Sequence, residues 1–230
     1  MMKTRIIKVP IMGSNAYLLK GKGGLILVDT GQKGGTARIK KTLTDLGQAI
    51  TDIDLIIITH VHYDHVGSLA QIKKESSAEV IVHEAEADLL RSGSCGFPKG
   101  TMAFSRALSG LANRFMDGSF EPVEPEIVID TSFDLEEFGL EGEIVHTPGH
   151  TEGSLSVILD DGNCIVGDTL FNVLPRSVYP PFANKESRLM ESWKKIREYD
   201  CKKYYPGHGR KFGRDKFEKS FKKLIYPSFR

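Results

Sequence analysis

The chain is 230 residues long, with 40% hydrophobic and 27% charged residues, and its 31 Lys plus Arg offset 30 Asp plus Glu to leave a net charge of +1. That composition excludes an intrinsically disordered or fibrous chain, and the near-neutral total removes any whole-molecule electrostatic argument for nucleic-acid binding. Three cysteines, none at metal-knuckle spacing, argue against a disulfide scaffold, and the N-terminal stretch lacks the apolar run of a secretion signal, so the expectation is a cytoplasmic protein.

The charge is unevenly spread. Residues 1–50 carry nine basic and two acidic side chains, residues 51–184 seven and twenty-two, and residues 185–230 fifteen and six, so a basic face can only be assembled from the two ends of the chain.

In chain order, short apolar pieces around Ile6, Ile7 and Val9, then over 16–19 and 25–28, are broken by Met12-Gly13-Ser14 and Gly21-Lys22-Gly23-Gly24, which predicts three strands. Ile39, Leu43 and Leu46 recur at spacings of four and three, predicting an amphipathic helix over 34–47 that Gly47 stops. The continuous apolar run 55–58 reads as a strand buried on both faces, followed by a helix over about 68–74 and a strand over 79–83. Residues 91–125 break this rhythm. A breaker-rich stretch from Ser92 to Gly100 precedes Met102, Phe104, Leu108, Leu111 and Phe115 at roughly helical spacing, which predicts a loop and helix inserted as a lid. Strand patterns resume over 127–129, 140–145, 155–159 and 164–166, with Asp161-Gly162 as a hairpin turn. Helices are expected over 185–199 and around Phe217, Phe221 and Leu224. Pro180-Pro181 leaves a remainder at the lower edge of an independent domain, so residues 1–230 are read as a single domain.

The chemistry is concentrated in turns. Thr59-His60-Val61-His62-Tyr63-Asp64-His65 places three imidazoles and a carboxylate directly after the buried strand, a donor set that suits zinc, iron or manganese. Asp29 ends the third strand, His150 follows Pro148-Gly149, Asp168 follows Val166-Gly167, and His208 sits in Pro206-Gly207-His208-Gly209. Each is a ligand-type residue in a glycine-bearing turn, where close backbone approach lets several loops converge. His146 and His83 are read as structural, Cys164 and Cys201 as packing residues, and Cys95 as an ordinary loop residue.

The order Asp29, His-x-His-x-Asp-His, His150, Asp168, His208 resembles the metallo-β-lactamase superfamily, over most of the chain. The pair Asp64-His65 makes it similar to the glyoxalase II-like branch and its related lactonases and phosphodiesterases, although only 22 residues follow His208, too few for the helical domain of glyoxalase II proper. The resemblance implies an α/β fold, a four-layer αβ/βα sandwich with the metal site at the edge between two β-sheets. It also implies a metal-dependent hydrolase with two divalent ions, zinc first and iron or manganese as alternatives. His60, His62 and His150 would hold one ion, Asp64, His65 and His208 the other, and Asp168 would bridge them, with Asp29 orienting the ligand loop.

In this reading a metal-bridging hydroxide attacks a small ester-type substrate, a thioester, lactone or similar, and Asp64 or Asp168 aligns the nucleophile's proton. Phe97, Lys99, Phe104, Asn172, Arg176 and Tyr179, with Phe171 and Phe182 nearby, are the candidate substrate contacts. The expected partner is a small molecule, with no membrane and little to support a nucleic acid. Two other readings of the same fold stay open, a phosphodiesterase or nuclease and a mononuclear iron persulfide dioxygenase.

Overall fold

The computed structural model describes residues 4–115 and 118–225. One six-stranded sheet runs in the order β1 (Arg5–Pro10), β2 (Asn15–Lys20), β3 (Leu25–Val28), β4 (Ile53–Ile57), β5 (Glu79–His83) and β6 (Ile127–Ile129). The first three strands are an antiparallel meander, and β3 to β6 are parallel. The parallel steps need crossovers, which are supplied by α1 (Thr36–Asp45), then α2 (Tyr63–Val66) with α3 (Leu69–Ser76), then α4 (Glu84–Ser92) with α5 (Ala103–Phe115). The second six-stranded sheet runs in chain order from one edge to the other: β7 (Ser132–Asp134), β8 (Gly142–His146), β9 (Leu155–Leu159), β10 (Asn163–Gly167), β11 (Lys203–Pro206) and β12 (Phe212–Gly213). Here only β10 and β11 are parallel, joined through α6 (Glu186–Glu198), and α7 (Arg214–Ile225) follows β12.

Side-chain alternation explains the layering, because successive residues of a strand face opposite sides. In β3, Leu25 and Leu27 join a core with Ile39 and Leu43 of α1, Leu69 and Ile72 of α3 and Leu90 of α4. Ile26 and Val28, between and after them, point the other way into a core shared with Ile144, Leu155, Val157 and Ile165 of the second sheet. The second sheet repeats the pattern: Cys164 and Val166 turn outward to Leu189, Trp193 and Ile196 of α6 and Phe217 of α7. Both strand faces are therefore apolar, which is why 55–58 reads as an unbroken hydrophobic run. The outcome is the expected sandwich of helix, sheet, sheet, helix.

Three features differ from the sequence expectations. Cys164 and Cys201 are not mere packing residues; they form a disulfide across a separation of 37 residues, with their Cα atoms 6.0 Å apart. Strand β11 lies beside β10 and pairs Tyr204 with Cys164, so the chain just before β11 returns to Cys164, a proximity that linear spacing does not carry. Helix α4 follows β5 without a gap; the His83 imidazole accepts from Ala85 N at its start and Gly93, at φ 68°, closes its end. Over 103–111 of α5, the part whose side chains are described, Ser105 and Ser109 are buried while Phe104, Leu108 and Leu111 are exposed. Ser109 Oγ donates to the Pro98 carbonyl at 2.7 Å, and a Cβ at Gly100 would meet Arg106 N at 2.2 Å, so small residues allow this helix to sit directly on its own preceding loop. Of the expected insertion 91–125, residues 116 and 117 lie outside the described residues.

Candidate metal centre

The seven residues expected to hold metal, His60, His62, Asp64, His65, His150, Asp168 and His208, come together at the ends of strands from the two sheets. After β4 the chain turns through His60 and His62, and α2 begins at Tyr63 with His62 as its extended entry residue. This single helical turn brings Asp64 and His65 round to a second position, instead of the alternating sides an extended chain would give. His150 follows β8, Asp168 follows β10 and His208 follows β11. Donor atoms of His60, His62 and His150 lie within 4.8 Å of one another, as do those of His60, His65 and Asp168, and those of Asp64, His65 and His208.

Three of the imidazoles are oriented by a bond on the far nitrogen. His65 Nδ1 lies 2.8 Å from Asp29 Oδ2, His150 Nδ1 2.9 Å from the Phe182 carbonyl, and His208 Nδ1 2.7 Å from the Gly13 carbonyl. Carboxylates and carbonyls only accept, so those Nδ1 atoms carry the protons and each Nε2 is left to face the centre. The inward atoms crowd together: His65 Nε2 is 3.4 Å from His208 Nε2, and His150 Nε2 is 3.1 Å from His62 Nδ1. Asp168 Oδ2 stands 3.4 Å from His150 Nε2, 3.3 Å from His208 Nε2 and 3.8 Å from His60 Nε2. Asp64 Oδ2 is 3.3 Å from His208 Nε2.

Asp29 anchors the ligand loop. Its carboxylate accepts from Thr59 N and Thr59 Oγ1, both at 2.8 Å, as well as facing His65. It adopts φ 59°, left-handed for a residue with a side chain, a conformation that costs energy and is held here by the surrounding bonds. Glu86, which the sequence motifs do not include, performs a matching task. This buried carboxylate accepts from Val61 N, between two of the histidines, and from Gly153 N at 3.1 Å, in the loop after His150. Its signal in the sequence is a carboxylate four residues before the buried Leu90 on a helix that the apolar spacing does not announce. At Gly207 a Cβ would meet Asp168 Oδ1 at 2.2 Å and His65 Cε1 at 2.8 Å, so a glycine is required beside the cluster.

The electrostatics ask for cations. Burial opposes charge on His65, yet Asp29, Asp168 and Asp64 together lift its pKa to about 9. Burial likewise opposes charge on His208, and Asp168 and Asp64 raise its pKa well above the ordinary value. His62, buried and beside His150, falls to about 3, and His60 is lowered by burial and by His65. Burial resists ionisation of Asp168, but His208, His65 and His150 bring it down to about 2. Within this cluster, buried His60 Nε2 and Asp168 Oδ1 have no hydrogen-bond partner. Unpaired buried donors and acceptors are costly, and imidazole with carboxylate is a borderline to hard set that binds zinc, iron or manganese. The residues fit a divalent metal centre.

The centre opens into a cavity of about 520 Å³ lined by Tyr63, Cys95, Phe97, Phe171 and Phe182 among others. Of the candidate substrate residues, Phe97 lines it. Lys99, Phe104, Asn172, Arg176 and Tyr179 do not. Asn172 donates to the Arg210 carbonyl at 2.7 Å and accepts from Lys216. Tyr179 donates to Glu186, with its ring edge-on to Trp193. Phe104, Lys99 and Arg176 are exposed. Cys95 is a free cysteine at the wall whose thiol burial pushes up to about 11. His83 and His146 stay outside the centre and stack on each other, with ring centroids 3.8 Å apart.

Comparison with known proteins agrees with this geometry. A protein of Methanocaldococcus jannaschii named as a probable metallo-hydrolase is 33% identical over 85% of this chain and 87% of its own length. An acyl-coenzyme A thioesterase of Bos taurus is 26% identical over 88% of this chain and 75% of its own. Two animal proteins named as beta-lactamase-like protein 2 homologs are longer, and the chain spans 57% and 59% of them. Among solved structures, a metallo-beta-lactamase family protein from Thermus thermophilus superposes with a TM-score of 0.71, at 23% identity over 96% of this chain and 79% of that one, a likeness of fold. The family profile of the metallo-beta-lactamase superfamily matches residues 9–208. With a family match over 9–208 and a relative 33% identical over most of both chains, the chain belongs to the metallo-beta-lactamase superfamily.

Proposed function

We propose that the protein is a dinuclear metal-dependent hydrolase, with zinc as its metal, acting on small ester-type substrates such as thioesters and lactones. The observation that carries this reading is the overlap of three donor sets, each within 4.8 Å, through shared His60 and His65. His60, His62 and His150 would hold one ion, Asp64, His65 and His208 the other, with Asp168 between them. When bound, two such ions supply Lewis acidity and a water whose pKa falls to about 7.

The chain's own groups do the rest. Asp29, Phe182 and Gly13 fix the tautomers of three imidazoles so that lone pairs face inward. Asp64 or Asp168, whose Oδ1 has no hydrogen-bond partner, would align the remaining proton of the attacking hydroxide. The segment 91–125 serves as a lid: Ser94, Cys95, Gly96, Phe97, Pro98 and Gly118 line the cavity. It is fastened to the far half of the chain by Thr101 N to the Pro181 carbonyl and Ala183 N to the Lys99 carbonyl. The thioesterase activity in the name of the bovine relative favours a thioester. Among the described residues no Lys or Arg lines the cavity, which weighs against a phosphodiester.

The test is hydrolysis of a panel of thioesters, lactones, β-lactams and phosphodiesters by zinc-loaded protein beside His60→Ala and Asp168→Ala. Ester-type turnover that disappears together with bound metal is the expected result. Full turnover by metal-free protein overturns the reading.

A further inference from the structure

The wall of the cavity next to the metal cluster is aromatic and, among the described residues, carries no fixed positive side chain. Phe171 stacks on the His208 imidazole, with centroids 4.7 Å apart and planes 17° apart, and lies 6.1 Å from His150. The carbonyl of Phe182 orients His150, so that residue too is tied to a ligand. Phe97, from the opposite side of the opening, meets the Phe182 ring edge-on with centroids 5.3 Å apart. All three line the cavity beside polar Gln32, Tyr63 and Ser94, so one part of the space around the centre is walled by phenylalanine rings.

Lys and Arg side chains around the cavity stand outside its described lining. Lys216 bonds Asn172 and the Leu174 carbonyl, Lys8 bonds the Gly209 carbonyl at 3.2 Å, and Lys99 and Arg176 are exposed and outside the lining. Away from the centre, a carboxylate or phosphate on the acyl group would meet no Lys or Arg among the described lining residues, whereas an apolar group gains from burial against the rings.

Resting on the hydrolase reading, we infer that the substrate's acyl group is uncharged and apolar, of the size of a phenylacetyl or hexanoyl group, and that Phe97 is the residue that selects it. A volume of about 520 Å³ accommodates such a group together with the reacting centre and part of a leaving group.

The experiment compares acetyl, hexanoyl, phenylacetyl and succinyl thioesters of one common thiol on zinc-loaded protein. The apolar pair should exceed acetyl and succinyl in kcat/KM by about tenfold or more, a preference in keeping with burial of several carbons. Phe97→Ala should flatten the apolar preference mainly through KM, with metal content unchanged, and Phe97→Lys should raise the succinyl rate. Binding of the matching hydrolysis-resistant amides, measured by calorimetry, separates the two claims. If no thioester or lactone turns over but the apolar amides still bind tightest and Phe97→Ala abolishes that order, the selectivity stands and the hydrolase reading falls. Equal or stronger binding and turnover of the succinyl compounds, or an apolar preference untouched by Phe97→Ala, overturns the inference.

Discussion

His65 Nε2 and His208 Nε2 face each other at 3.4 Å, each with its opposite nitrogen committed to an acceptor, Asp29 in one case and the Gly13 carbonyl in the other. Two lone pairs in that position require a positive charge between or beside them, a proton or a metal ion. Adding zinc to chelator-treated protein should therefore raise its thermal midpoint by several degrees, following the mass-action stabilisation of the form that binds. His208→Ala should bind less zinc per chain and show a smaller rise. An unchanged midpoint across the titration would contradict the assignment.

Asp29 uses both carboxylate oxygens on Thr59 and His65. Asp29→Asn keeps the shape but places an amide donor against a group that itself donates. The expected outcome is a fall of about 10- to 100-fold in zinc affinity, as for other residues that orient ligands, with the circular dichroism spectrum retained. Competition with a chromogenic chelator measures it.

Glu86 joins the His60–His62 loop to the loop after His150. Glu86→Gln turns one of its two backbone bonds into a donor facing a donor, which should cost about 1–3 kcal/mol in denaturant unfolding and weaken zinc binding in parallel. Destabilisation with zinc affinity unchanged would show that Glu86 supports the fold without positioning the ligands.

Gly207→Ala introduces a Cβ into the space of Asp168 Oδ1 and His65. Because a side-chain tip can shift, the chain should still fold while metal content per chain falls. Elemental analysis beside wild type checks it, and full metal occupancy would mean that the cluster tolerates the displacement.

The disulfide predicts a thiol count. Under denaturing, non-reducing conditions one thiol, that of Cys95, should react, and three should react after reduction. Reduction should lower stability by about 2–4 kcal/mol. Blocking thiols at lysis also reports whether the bond exists where the chain folds, since reducing compartments keep such pairs open.

The parts of the molecule that were readable from sequence have local causes. The strand over 55–58 and helices α1, α3 and α6 announce themselves by period and by length, and the His60 to His65 run is crowded enough to suggest metal chemistry. What was hidden depends on proximity that linear spacing does not carry. Cys164 meets Cys201 only because β10 and β11 are neighbours across a crossover. Glu86 matters only because α4 brings it under two loops that approach each other from different sheets. The candidate substrate residues divide by where they point. Phe97, Phe171 and Phe182 line the cavity, whereas Asn172, Arg176 and Tyr179, equally close in sequence, turn to Arg210, to solvent and to Glu186. The residues of a loop share an address but not a direction, and their side-chain partners decide the direction. In α5 the helical spacing was right, and over 103–111 it is Ser109, not the leucines, that bonds the Pro98 loop.

The most direct measurement of metal-dependent hydrolysis at this centre is a zinc titration of metal-free protein, with bound metal and thioester turnover followed in the same samples. No turnover is expected without metal, and the rate should rise with occupancy to a plateau at two ions per chain. Undiminished hydrolysis in protein that contains no metal would contradict the assignment of the reaction to this cluster.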